Sequence, residues 1–234
     1  MKLSKKIIFS VFVLFYFFAI GQEKCTFEQV KKTFMLENLR YQRCTKHINL
    51  ENALRYNKTD FLGFIGENKK RLKIVLLSVN QDKKNSQKYL IKGFSTVLNK
   101  NKRFFEGIFF VENSFLFSEL PFESSVDDLY GFSILTYQLY EDKELTATGI
   151  FEGKIIVSWK KKQNIIEYED IFDGYDGCRN YQFIGTWTSY KTGKSQECNW
   201  GQRRIPCSGD LDIGVAEFMP NEKYRKYGWE DYVP

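Results

Sequence analysis

Hydrophobic and polar positions alternate with a period of two along most of this chain. In residues 181–190, Tyr181, Phe183, Gly185 and Trp187 share one side, while Gln182, Ile184, Thr186 and Thr188 share the other. That pattern, rich in aromatic and β-branched residues, is the mark of a half-buried strand. Lys191-Thr192-Gly193-Lys194 follows as a polar turn, and the chain returns through residues 196–200, so the unit is a hairpin. The returning strand of an earlier hairpin, residues 146–159, shows the same two-sidedness. Phe151, Gly153, Ile155, Val157 and Trp159 lie on one face, and Glu152, Lys154 and Ser158 on the other.

The same reading gives strands at 61–65, 72–79, 89–98, 103–111, 132–140, 165–171 and 196–200, with a short one at 114–117. Residues 72–79 are apolar on both faces, which predicts a central strand covered on each side. Turns fall at 66–70, at 99–102 and at 141–144, and residues 119–128, with Pro121 and several acids, form the longest break in the β region. Lys160-Lys161-Lys162 is read as a solvated turn between two strands. Before the strands, Phe27, Val30 and Phe34 repeat at helical spacing and predict a short amphipathic helix within 26–38, with a further helical turn at 50–55.

About nine strands joined in sequence by short turns predict a mainly β fold: an antiparallel meander closed as a barrel or folded as a sandwich. The repeated Phe-x-Gly at 105–107, 151–153 and 183–185 puts a glycine on the phenylalanine's face. A missing side chain there lets a neighbouring ring lie across it, or lets the sheet bend. The expected organisation is a signal peptide at 1–21, an N-terminal helical and irregular segment at 22–60, and one β domain at 61–234.

The address comes from the first residues. Lys2, Lys5 and Lys6 precede an uncharged apolar run of fourteen residues, 7–20, and Ala19-Ile20-Gly21 supplies small residues at a cleavage site. This three-part arrangement predicts a secretory signal peptide cut near Gly21. The run is shorter than the roughly 20 apolar residues a membrane span requires. A secreted or periplasmic location follows, with no membrane span in the mature chain. Losing residues 1–21, which hold three lysines and no acids, lowers the formal charge from +6 to +3. So mild a basic excess does not make a nucleic-acid binder.

Five cysteines, Cys25, Cys44, Cys178, Cys198 and Cys207, survive that cleavage, and export permits disulfides. The odd number leaves at least one thiol unpaired within the chain. Cys25 with Cys44 is one candidate pair and Cys198 with Cys207 another, while Cys178 competes for either Cys198 or Cys207. Spacings of the CxxC or Cys/His kind that a zinc site needs are missing.

Candidate chemistry is sparse. His47 is the one histidine, so a His-based triad or a multi-His metal site is excluded, and a structural or solvated role is expected. Acids gather at Glu169, Asp170, Asp173 and Asp176 in a glycine-bearing loop, without the EF-hand spacing that calcium needs. A second acid group, Asp210 and Asp212 with Glu217 nearby, is where a polysaccharide hydrolase would find paired carboxylates. Among aromatic residues, Trp187 shares a face with Phe183 and is expected in the core. Trp200, beside Gly201 in a cysteine-flanked stretch, is the better candidate for exposure. Neither catalytic residues nor a cofactor or metal is assigned. The expected ligand site is Trp200, Tyr190, Asp210 and Asp212, for a glycan or another extracytoplasmic ligand, with an envelope protein as the other partner class.

Phe183-Ile184-Gly185-Thr186-Trp187 resembles the Gly-x-Trp signature of lipocalins and related barrels, with Asn180-Tyr181 before it. Lipocalins carry that motif on their first strand, whereas here it lies near the end, so no ligand pocket is carried over. The segments FIGTWTSYKTGK, CNWG followed by Arg204-Ile205-Pro206, and SGDLDIG resemble an uncharacterised secreted family of Bacteroidetes-type bacteria. A leader ending in Gly-Gln-Glu fits that resemblance, which implies no activity. The resulting expectation is a non-enzymatic exported binding module, with a carboxylate-based hydrolase and a structural envelope protein as the competing classes.

Overall fold

The computed structural model describes residues 25–34, 39–56, 61–118, 128–169 and 180–233. The expected signal peptide, Cys178 and most of the acidic loop after Glu169 lie outside the described residues. Ten strands appear in chain order: β1 Tyr41–Arg43, β2 Phe61–Ile65, β3 Lys70–Gln81, β4 Lys88–Val97, β5 Lys100–Phe117, β6 Leu129–Glu141, β7 Gly149–Lys162, β8 Ile165–Tyr168, β9 Asn180–Ser189 and β10 Ser195–Gln202. Two short helices, α1 Phe27–Phe34 and α2 Glu51–Leu54, precede most of them.

Eight of the strands close into an antiparallel barrel. Each of β2 to β7 pairs with its successor, β7 pairs with β9, β9 with β10, and β10 returns to β2. The barrel alternative is therefore the one realised. β7 is long enough to serve two partners, Gly149–Ile156 facing β9 and Trp159–Lys162 facing β8. β1 adds an edge strand to the far end of β5.

Several boundaries differ from expectation, each for a local reason. Residues 103–111 and 114–117 form one strand, because a register shift between Val111 and Asn113 bends β5 without ending it. A similar shift between Leu76 and Ser78 explains the double-faced apolar run of β3. Leu72 and Ile74 point inward before the bulge, and Val79 does so after it, so the inward parity switches. The strand is not covered on both faces, since Leu77 is 59% exposed. The lysines at 160–162 belong to β7, and the turn is Gln163-Asn164, both at positive φ. Leu98-Asn99 likewise makes a two-residue turn at positive φ, so the strand resumes at Lys100. Two consecutive left-handed residues give the hairpin turn whose twist suits the flanking strands.

Aromatic rings fill the barrel interior. Phe183 and Trp200 are direct cross-strand partners and stack with centroids 3.4 Å apart. Phe61 meets that pair edge-on, 5.3 Å from Trp200. The Phe-x-Gly glycines work as backbone contacts as well as ring seats. Gly153 and Gly185 face each other across β7 and β9, with Tyr137 beside them on β6. A Cβ on Gly185 would come within 2.0 Å of the Glu152 carbonyl and 2.6 Å of the Tyr137 hydroxyl. That row permits the tight curl of a small barrel and leaves room for the Tyr137 ring.

The ends and outer wall are closed by the flanking segments. Leu50, Ala53 and Leu54, on and beside α2, are fully buried at one end, called lower here. Tyr89 Oη accepts the Leu50 amide at 2.8 Å, and Tyr181 Oη donates to the Leu54 carbonyl at 3.2 Å. Outside the barrel, Phe27 and Phe34 of α1 pack on Phe132, Ile134 and Ile156. The chain after β10 covers another stretch of wall, with Ile205, Leu211, Phe218 and Trp229 packed around Phe64. Among the described residues no helix is long and apolar enough to cross a membrane.

The cysteines pair differently from either expected arrangement. Cys25 and Cys207 form a disulfide, with Cα atoms 5.6 Å apart and a sequence separation of 182. Cys44 and Cys198 are free thiols. The correction has a simple cause: β10 runs straight through residues 195–202, so Cys198 is an interior strand residue and not the rim of a loop.

Candidate functional site

The four residues expected to bind ligand do not form one site. Trp200 is fully buried in the barrel, which corrects its expected exposure. Strand parity is the reason, because a hairpin that turns near Gly193 sets Trp200 on the face of Phe183. Trp187, expected in the core, is half-buried and packs against the interior from its upper end. Asp210 pairs with Lys223 and accepts the Tyr224 hydroxyl at 2.7 Å. These partners hold its carboxyl below the usual range. Asp212 binds Arg204 at 2.9 Å and accepts the amides of Gly214 and Met219. Both acids therefore fasten the C-terminal segment to itself. Tyr190 sits half-buried at the upper end of the barrel, away from them.

That upper end gathers the turns of four hairpins around a cavity of about 230 Å³, lined by Ile65, Lys70, Arg103, Glu141 and Trp187 among others. Glu141, the last residue of β6, is 5% exposed. Ser95 Oγ donates to one carboxylate oxygen at 2.7 Å, while the Gly149 amide and Trp187 Nε1 donate to the other at 2.9 and 3.0 Å. Burial nonetheless outweighs these donors and raises the Glu141 pKa. The carboxyl ties β4, β6, β7 and β9 together, so the Trp187 of the Gly-x-Trp motif serves as a hydrogen-bond donor at a barrel rim.

A raised folded-state pKa makes stability fall as pH rises. Below the ordinary carboxyl value of about 4.5, folded and unfolded chains both hold this proton. Above it the unfolded chain releases the proton first, and stability drops until the folded carboxyl has ionised as well. Glu141→Gln keeps an acceptor for Trp187 and Gly149 and removes the ionisation. The variant is expected to gain stability over wild type progressively above pH 4.5. Urea unfolding of both proteins across pH 4–8 checks this, and a stability difference that does not change with pH would refute it.

The larger concavity lies at the lower end. A trough of about 790 Å³ opens where β5, β6 and β7 run beside α2. Residues 42–52 form one wall as a strap, and the β7–β8 hairpin forms the other. The strap is pinned by the Cys44 amide, which donates to the Ser114 carbonyl at 2.8 Å. On its other side lies a second hollow of about 500 Å³, bordered by Ser86, Gln87, Val111 and Ser114. His47 borders both spaces, its Nε2 3.3 Å from Gln81 Nε2.

The trough floor is aliphatic. Leu116, Leu129, Ile165 and Ile166 line it, with Trp159 sealed beneath. Leu129 is 47% exposed and Ile165 50% exposed. Sequence reasoning missed this place because its residues come from five separate segments, and the only local signal was an exposed-looking isoleucine beside a lysine run. Among the described residues no cluster of three His, Cys, Asp or Glu side chains is placed to hold a metal ion.

Scans of protein-family models, of curated proteins and of solved structures each return no match to this chain.

Proposed function

We propose that this chain is an exported, non-enzymatic binding module that takes its ligand in the lower trough. The observation that carries the reading is a cavity of ligand size, about 790 Å³, that keeps Leu129 and Ile165 half exposed. Pockets for small molecules are concave and of this volume, and loops and straps on a rigid barrel are where such sites arise. The Cys25–Cys207 disulfide fits an oxidising compartment outside the cytoplasm. The hydrolase alternative has less support, since Asp210 and Asp212 are bound to cations, a hydroxyl and amides of their own chain.

A thermal-shift screen of the purified protein against glycans, lipids and small metabolites tests this reading. Ile165→Asp places a charge on the trough wall at an exposed edge-strand position. Ligands that raise the melting temperature of wild type are expected to lose that effect in Ile165→Asp. Ligands that stabilise both proteins equally would remove the trough from the function.

A further inference from the structure

Resting on the trough as the binding site, we infer that its ligand is a free medium-chain carboxylate, an aliphatic chain ending in an anion. The argument begins with charge. Arg43, Lys46 and Lys161 line the trough, and none of their side chains has an ion-pair or hydrogen-bond partner among the described residues. Among the described residues the one acid in the lining, Glu51, is already engaged. Its carboxylate binds Arg55 at 2.6 Å and accepts the Gln81 amide at 2.8 Å. The described wall therefore offers three cations and no unengaged carboxylate.

The placement of Lys161 follows from strand parity. Lys161 faces Leu129 on β6 and Ile166 on β8 as a direct cross-strand partner. It continues the inward row of Phe151, Ile155, Val157 and Trp159, whereas Lys162 is exposed. An inward lysine beside Leu129 and Ile166 sets a cation in the lining next to aliphatic side chains, where a chain with an anionic head would lie. Arg43, the last residue of β1, lines the opposite wall, and its in-register partner Phe115 packs on the outer Phe132 cluster.

The floor selects the body of the ligand. Leu116, Leu129, Ile165 and Ile166 present branched aliphatic surface. The one tryptophan, Trp159, is fully buried, with its indole donating to Ser133 at 2.9 Å, and so offers no open face for stacking a sugar or a base. A flexible hydrocarbon fits such a surface better than a flat ring. The walls on both sides make the trough a slot for one chain and not a convex face for a bilayer. The recognition is thus apolar burial along the floor, with charge-assisted contacts at the rim.

Calorimetric titration of the whole purified protein with decanoate, decanol and decyltrimethylammonium tests the inference. Decanoate is expected to bind, the cationic analogue is not, and raising the salt concentration weakens decanoate binding. From octanoate to decanoate the affinity is expected to rise about fourfold per added methylene. The double reversal Arg43→Glu with Lys161→Glu is expected to weaken decanoate at least about tenfold and to leave decanol unchanged, with an unaltered melting temperature. If decanol binds as well as decanoate, and the double reversal changes neither, the trough stands as a site and the anionic head is refuted. Binding to phosphatidylglycerol vesicles without binding to decanoate overturns the inference in favour of a membrane surface. If none of the three ligands binds while another screen hit is lost in Ile165→Asp, the carboxylate is wrong and the trough survives. If no hit of any kind responds to Ile165→Asp, both readings fall together.

Discussion

Trp200→Ala is expected to destabilise the protein by about 4 kcal/mol, enough to leave much of it unfolded at ambient temperature if its stability is ordinary. The side chain has no solvent exposure. Its ring stacks on Phe183 at 3.4 Å, meets Phe61 edge-on at 5.3 Å and lies 5.9 Å from the ring of Tyr137. Truncation would leave a void that neighbouring strands cannot close, because Gly63 directly opposite has no side chain to move into it. One feature reduces the loss on a gentler substitution. The indole Nε1 approaches the Tyr137 hydroxyl, but among the described residues neither group makes a hydrogen bond of good geometry. Trp200→Phe keeps the stack and removes a poorly satisfied buried donor, so it is expected to cost far less than Trp200→Ala. Urea midpoints of the three proteins measure both effects. A wild-type midpoint for Trp200→Ala would contradict an interior Trp200.

How much of this was legible in the sequence depended on the range of the interaction. Period-two alternation located nearly every barrel strand, because one face of each is buried and the other is not. β7 shows this well: Phe151, Ile155, Val157 and Trp159 all point inward as their spacing predicts. The helix at Phe27–Phe34 and the turn at Glu51–Leu54 were legible for the same reason. Bulges were not, since one extra residue at Val111–Asn113 or at Leu76–Ser78 leaves the composition unchanged and only switches parity. The burial of Trp200 follows from parity alone: an even-numbered residue across a turn near Gly193 falls opposite odd-numbered residues of β9, and Phe183 lies inside. The short β1 was invisible, because three exposed residues, Tyr41–Arg43, carry no pattern and exist as a strand only through pairing with β5. The trough belongs to this class as well. Its walls meet through barrel closure, a relation between residues 43 and 161 that no local window contains.

Loss of the Cys25–Cys207 bond is expected to lower the unfolding free energy by about 5 kcal/mol in the chain-entropy account, because it closes a loop of 182 residues in the unfolded chain. Its effect in the folded state is more local. Cys25 stands just before α1, and Cys207 lies in the segment that covers Phe64 from outside. The bond therefore clasps two wall-covering segments that contribute little to the barrel's own hydrogen-bond ladder. An eight-residue helix does not hold its shape alone in water. Once the bond is cut, α1 keeps its place through packing of its own side chains, with Val30 buried and Phe27 and Phe34 on the Phe132–Ile156 wall. Cys25→Ser should thus show two separable changes: a lower urea midpoint, and faster amide exchange in residues 27–34 than in the barrel strands. Thiol labelling of the native protein adds a control. Burial raises the Cys198 pKa well above its ordinary value and hides the sulfur, so Cys198 should resist alkylation while the half-buried Cys44 reacts. Identical urea midpoints with and without reductant, under conditions where the freed Cys25 and Cys207 thiols are both labelled, would show that the clasp adds nothing to the fold. A lower midpoint with unchanged exchange in α1 would show instead that the bond acts through the unfolded chain alone, and that packing by Phe27 and Phe34 is sufficient to hold the helix.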